Sequence, residues 1–187
     1  MRTLKPRWAM LTAVAFGLSA PACAQSLYGI GRTATAAEIV GWNIDIGRDG
    51  ANLPTGSGSV PHGHEVFDQQ CVACHGGKGE GGVGDRLVGG QGTLATSKPI
   101  KTVGSYWPYA PTLFDYIRRA MPQNAPQSLS NDDVYAVSAY ILHLNDLLPA
   151  DATLDARTLS AIKMPNRGMF TGDPRPDVKN PACLTGC

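Results

Sequence analysis

Residues 71–75 read Cys-Val-Ala-Cys-His, and this pentapeptide constrains the chain more than any other feature. Two thiols at C-x-x-C spacing can each add across a vinyl group of a haem, and the adjoining His75 imidazole is then held where it can bind the iron. A zinc site would need two further soft ligands at matching spacing. A redox dithiol of the thioredoxin kind would need a strand-and-helix framework that the surrounding sequence does not offer. The pentapeptide therefore predicts one covalently attached haem c, with Cys71 and Cys74 as its thioether anchors and His75 as an iron ligand.

Covalent haem of this kind is attached outside the bacterial cytoplasm, and the N-terminus fits that route. Arg2, Lys5 and Arg7 precede an apolar run from Ala9 to Ala20, and Ala22-Cys23-Ala24 forms an A-x-A cleavage signature. Residues 1–24 read as a signal peptide. The run is short of the roughly 20 apolar residues of a membrane span, so a periplasmic mature chain without an anchor is expected. Without the signal, 13 basic residues face 15 acidic ones, a balance that does not suggest a nucleic-acid partner. Beyond Cys23 and the haem pair, Cys183 and Cys187 remain. In an oxidising compartment they are expected to pair, the alternative being two free thiols.

Three segments carry helical signals. The first runs from about His62 to Cys74, with Gly63 and Phe67 on one face. Pro111 to Ala120 is the second, where Leu113, Tyr116, Ile117 and Ala120 follow the spacing of a buried stripe. The third opens at Ser130, whose Ser-Asn-Asp-Asp start resembles a capping box, and turns Val134, Val137, Tyr140, Ile141 and Leu144 to one side before Pro149. No alternating run predicts a sheet, so the chain reads as all-α. A glycine-rich stretch from Gly76 to Gly92 suits tight turns around a flat macrocycle. The chain then divides into an extension at 25–60, too rich in Trp, Tyr and Ile for a free linker and read as a docking segment, a haem domain at 61–148, and a proline-rich tail at 149–187 expected to run extended over the surface.

The second axial position decides between an electron carrier and an enzyme, because an open iron admits substrate. Its candidates are Met121, Met164, Met169, His62, His64 and His143. Met121 ends the second helix beside the rigid Pro122, between the helices that should flank the haem, and is favoured; Met164, also followed by proline, is the runner-up. Ligation by Cys183 or Cys187 would require their disulfide to be absent. His75 should donate its other ring N–H to a backbone carbonyl of the glycine-rich loop. Arg86, Tyr106 and Trp107 are candidates to meet the haem propionates.

These residues resemble class I cytochromes c over about 60–147: the CVACH motif behind a helix bearing Gly63 and Phe67, Met121 in a loop, and Tyr140 on a closing helix. The resemblance implies first and last helices that cross, and an exposed haem edge. A narrower likeness takes in Tyr28-Gly29-Ile30-Gly31-Arg32, Glu38, Trp42, Asp45, Gly90-Gln91-Gly92, residues 101–109 and Arg119-Ala120-Met121-Pro122. These are similar to the cytochrome subunit of the Sox-pathway sulfane dehydrogenase and related sulfite dehydrogenases. That family implies a molybdenum-cofactor subunit as electron donor and a downstream cytochrome or oxidase as acceptor, with no bond chemistry on the cytochrome itself. Two departures stand out. Larger members carry a second haem domain, for which this chain has no second motif, and the proline often found in the loop supporting the axial histidine is replaced by Asp85-Arg86-Leu87-Val88. A free shuttle cytochrome and a haem enzyme of the thiosulfate-oxidising kind are the competing readings.

Overall fold

The computed structural model describes residues 30–172, which fall into two units divided after Val40. The signal segment, Tyr28-Gly29 and the Cys183–Cys187 pair lie outside the described residues. In the first unit there is a short helix, α1 (Ala36–Val40). The Thr35 hydroxyl accepts from the Glu38 N–H, and the Glu38 carboxylate accepts from the Thr35 N–H at 2.8 Å, a reciprocal cap. Arg32 pairs with the same carboxylate, and its hydrogen bonds hold the Glu38 pKa down to about 2.

The second unit is built on α2 (Val60–Gln70), α3 (Val72–His75), α4 (Ala110–Ala120) and α5 (Asn131–Leu144). The first helix begins two residues before its expected start because Ser59 caps it, accepting from the His62 N–H at 3.3 Å, with Pro61 in the first turn. It breaks at Cys71, whose φ of −120° ends α2 and begins α3. The expected capping of α5 is present: the Ser130 hydroxyl accepts from the Asp133 N–H at 3.1 Å and donates to the Asp133 carboxylate at 2.7 Å.

Helices α2 and α5 cross at closest range where Gly63 meets Ala136. A Cβ on Gly63 would stand 1.9 Å from the Ala136 carbonyl oxygen and 2.9 Å from Cβ of Tyr140. Only glycine permits that approach. Around the crossing Phe67 lies edge-on to Tyr140, 5.3 Å between centroids, and His64 stacks on the other side of Tyr140 at 4.8 Å. Beyond it Phe114 of α4 packs on Tyr135 of α5 at 4.4 Å, and both are fully buried. The Tyr135 hydroxyl reaches the Pro54 carbonyl at 2.8 Å, and burial pushes its pKa up to about 12.

Two expectations are corrected. A small antiparallel ladder does form, β1 (Ser57–Ser59) against β2 (Thr153–Asp155), with Gly58 opposite Leu154. Three-residue strands of Ser-Gly-Ser and Thr-Leu-Asp are too short to show alternation. The tail is also no surface strap up to residue 172: β2 leads into α6 (Ala156–Ala161), capped by the Asp155–Thr158 box, and Leu154, Leu159 and Met164 enter the core. The extension likewise contributes to this unit from residue 41 onward. Ile46 is buried, and its N–H donates to the Asp115 carboxylate at 3.1 Å, which also pairs with Arg119.

Two stability tests follow. Gly63→Ala should force α2 off α5 and cost about 2 kcal/mol or more, read as a lower denaturant midpoint. The second concerns His62, whose Nε2 bonds Asp133 at 2.8 Å across the helices. The Asp133 carboxylate raises the His62 pKa above its usual 6.5, and the bonds from Ser130 and His62 lower that of Asp133 below 3.8. The raised histidine stabilises below pH 6.5 and loses its contribution as pH rises through its folded value; the lowered aspartate stabilises above pH 3.8 and loses its own as pH falls through its folded value. His62→Ala should therefore cost most between these limits, about 0.5 kcal/mol for this half-exposed pair, and the cost should shrink by pH 8.5.

Candidate haem site

The break at Cys71 turns the end of α2 into the one-turn α3, so that Cys71, Cys74 and His75 lie on adjacent turns. The Cys74 and His75 N–H groups both donate to the Cys71 carbonyl, at 3.1 and 3.0 Å. Cys71 is half-buried and Cys74 exposed, and both are free thiols. Burial, followed by the neighbouring Cys74, pushes the Cys71 pKa up to about 11.

The glycine-rich loop folds back over α3. Gly84 N–H donates to the Cys74 carbonyl at 2.9 Å and Gly81 N–H to the His75 carbonyl at 2.8 Å. His75 Nδ1 lies 2.7 Å from the Asp85 carbonyl oxygen. Since a carbonyl only accepts, Nδ1 carries the proton and Nε2 keeps the lone pair that a metal needs. The expected carbonyl partner of His75 is thus supplied by the loop, by Asp85 itself. Gly84 is required here, because its Cβ would stand 2.9 Å from Cε1 and 3.0 Å from Nδ1 of the ring.

Met121 is the C-cap of α4, its N–H on the Ile117 carbonyl at 2.9 Å, with an extended backbone (φ −122°, ψ 145°). It is half-buried at the edge of the core, as are Cys71, Val72, Leu87, Trp107 and Leu129. The other axial candidates lie in varied surroundings. Met164 is 3% exposed within the core, and Met169 is 73% exposed. His62 is held by Asp133, His64 stacks on Tyr140 beside Asp68, and His143 Nδ1 bonds the Leu148 carbonyl at 2.9 Å.

Of the residues expected at the propionates, Arg86 is exposed and donates from Nε to the Glu80 carbonyl at 3.0 Å. Trp107 is half-buried and edge-on to Tyr116 at 5.8 Å. Tyr106 meets Phe170 edge-on at 5.4 Å under the Lys101 ammonium, and its carbonyl accepts from Asn166 at 2.6 Å. Sequence reasoning missed three polar residues behind the loop: Asn145, Thr102 and Ser105, all buried. The Thr-x-x-Ser spacing of the last two was the available signal, since hydroxyls so placed close a turn on each other's backbone.

Paired free thiols on successive turns, a histidine whose tautomer leaves Nε2 for a metal, and a rim of half-buried apolar side chains all fit a covalent haem. Together with the helical fold they define a c-type cytochrome. The family model described as cytochrome c oxidase, cbb3-type, subunit III matches residues 58–141. No match was found among curated protein sequences. A chain in the crystal structure of the sulfane dehydrogenase SoxCD from Paracoccus pantotrophus is similar at 39% identity with a TM-score of 0.74, over 85% of this chain and 81% of that one. The chain belongs to the cytochrome c family, in the group of the sulfane dehydrogenase cytochrome.

The loop geometry makes a direct prediction. Gly84→Ala should crowd the His75 ring by about 1–3 kcal/mol of overpacking and sharply lower the yield of haem-loaded protein. Gly77→Ala, whose Cβ would meet nothing within 4 Å, should leave that yield unchanged. Haem absorbance per mass of purified protein measures both.

Proposed function

We propose that this c-type electron carrier is a periplasmic single-haem subunit of a molybdenum-containing dehydrogenase acting on sulfane sulfur or sulfite. The similarity to the SoxCD chain carries the reading, because it spans 85% of the sequence whereas the haem-domain model spans only 58–141. A likeness confined to a haem module would be expected of any small cytochrome; here it must include segments outside that module. The signal-like residues 1–24 support export, and among the described residues no helix is long and apolar enough to cross a membrane.

When bound, the haem supplies a one-electron Fe(III)/Fe(II) couple. The chain's own residues do the rest. Cys71 and Cys74 would anchor the group, the Asp85 carbonyl orients His75 and raises its basicity, and His75 with the Met121 thioether, held at the α4 C-cap, would ligate the iron and so keep substrate from it. Arg86, Tyr106 and Trp107 are the proposed propionate contacts. Electrons leave to a downstream cytochrome or oxidase. The dehydrogenase subunit docks on the outer part of the extension, whose Ile39 and Val40 are exposed.

The test is co-purification of the co-expressed subunits followed by reduction with sulfur substrate. Deleting residues 25–40 should abolish co-purification at least about tenfold while the haem spectrum is kept, since the packed part of the extension starts beyond them. Met121→Leu should keep the partner but lose the long-wavelength band of thioether ligation and admit carbon monoxide. Retained binding after the deletion, or an unchanged band, would refute the respective assignment.

A further inference from the structure

The loop that orients His75 is tied down at several backbone positions. Asp85 lies between two anchored neighbours. On one side Gly84 N–H is fixed to the Cys74 carbonyl, and on the other Leu87 N–H is fixed to the Gly79 carbonyl at 2.9 Å. From Leu87 onward the loop is held by one side chain of the last long helix. Asn145, the C-cap of α5 and 2% exposed, donates from Nδ2 to the Leu87 carbonyl at 3.1 Å and to the Ile141 carbonyl at 2.9 Å, and its Oδ1 accepts from Gly89 N–H at 3.2 Å. The carboxamide uses both N–H donors and its oxygen, which orients it without ambiguity.

The surroundings are shaped to this one side chain. A Cβ on Gly104 would lie 2.3 Å from Asn145 Oδ1 and 2.6 Å from Cγ, so no larger residue than glycine fits there. The turn carrying Gly104 braces the same two loop residues: Val103 N–H donates to the Leu87 carbonyl at 3.3 Å and the Thr102 hydroxyl to the Gly89 carbonyl at 2.5 Å. The segment 102–105 and Asn145 thus enclose Leu87–Gly89 from two sides.

We propose that Asn145 is the positioning residue for the axial ligand, its carboxamide fixing Leu87 and Gly89 so that the Asp85 carbonyl stays on His75 Nδ1–H. This rests on the reading of His75 as the haem ligand. Asn145 acts through the loop on how strongly the imidazole donates. A firm Nδ1–H···O=C bond makes the imidazole more basic and favours Fe(III). Loosening the loop weakens that bond and shifts the potential upward.

The test uses the haem-loaded full chain. Asn145→Ala should raise the reduction potential and speed solvent exchange of the His75 Nδ1 proton, followed by NMR, by about tenfold or more. Thr102→Val, which removes the other brace on Gly89, should shift both in the same direction by less. Leu154→Ala, which opens the core at β2 away from the loop, should lower stability while leaving both at wild-type values. If Asn145→Ala does not accumulate, Asn145→Asp decides the matter in the same way, as it keeps the acceptor for Gly89 and loses both donors. An Asn145 variant that folds with wild-type potential and exchange overturns the proposal. Failure of the underlying reading would look different: the wild-type His75 protons would lack the shifts of an iron-bound imidazole.

Discussion

The crossing of α2 and α5 at Gly63 is the constraint on which the rest of this structure depends. Backbone meets backbone there, so neither helix can slide without breaking the contacts of Phe67, Tyr140 and Ala136. Helix α2 runs from that contact straight into Cys71, and α5 runs from it to Asn145. One fixed crossing therefore places the haem-anchoring motif at one helix end and the residue that braces its loop at another. The His62–Asp133 bridge, the β1–β2 ladder and the Tyr135 bond to Pro54 reinforce the same relation from outside.

What the crossing supports is a ligand whose orientation is set almost wholly by backbone groups. His75 is held at Nδ1 by a carbonyl, Cys74 by a glycine N–H, and the intervening loop by further backbone bonds. The Met121 side draws on a different element, α4, tied through Asp115 to Ile46 of the extension. The inner part of the extension, from residue 41 onward, is thus joined to the helix whose end carries the proposed sixth ligand.

The three long helices were legible because their signals are local: a stripe at helical spacing, Ser130 as a cap, Pro111 in a first turn. Cys71, Cys74 and His75 stood out as a motif by their spacing, and the structure places them on one short helix and its N-cap, with the His75 ring on the Asp85 carbonyl. The ladder and α6 were not, since Leu154 and Leu159 are two buried residues in a stretch too short to establish a period, and the proline content pointed to an extended tail. The bond from His75 to Asp85 is to a carbonyl, which every residue has, so the sequence could predict that some loop residue would serve but not which. Nothing near Asn145 in the sequence marks its role, because its partners Leu87 and Gly89 lie more than fifty residues away.

The family and fold define a c-type electron carrier, and with the proposed ligand pair it would be a closed relay. Low-temperature electron paramagnetic resonance of the oxidised full chain tests this claim most directly, because it counts haems and distinguishes their axial ligands in one measurement. The account predicts a single low-spin ferric signal of the histidine–methionine type, integrating to one haem per chain. A high-spin signal, a bis-histidine or thiolate signature, or a second haem would contradict it.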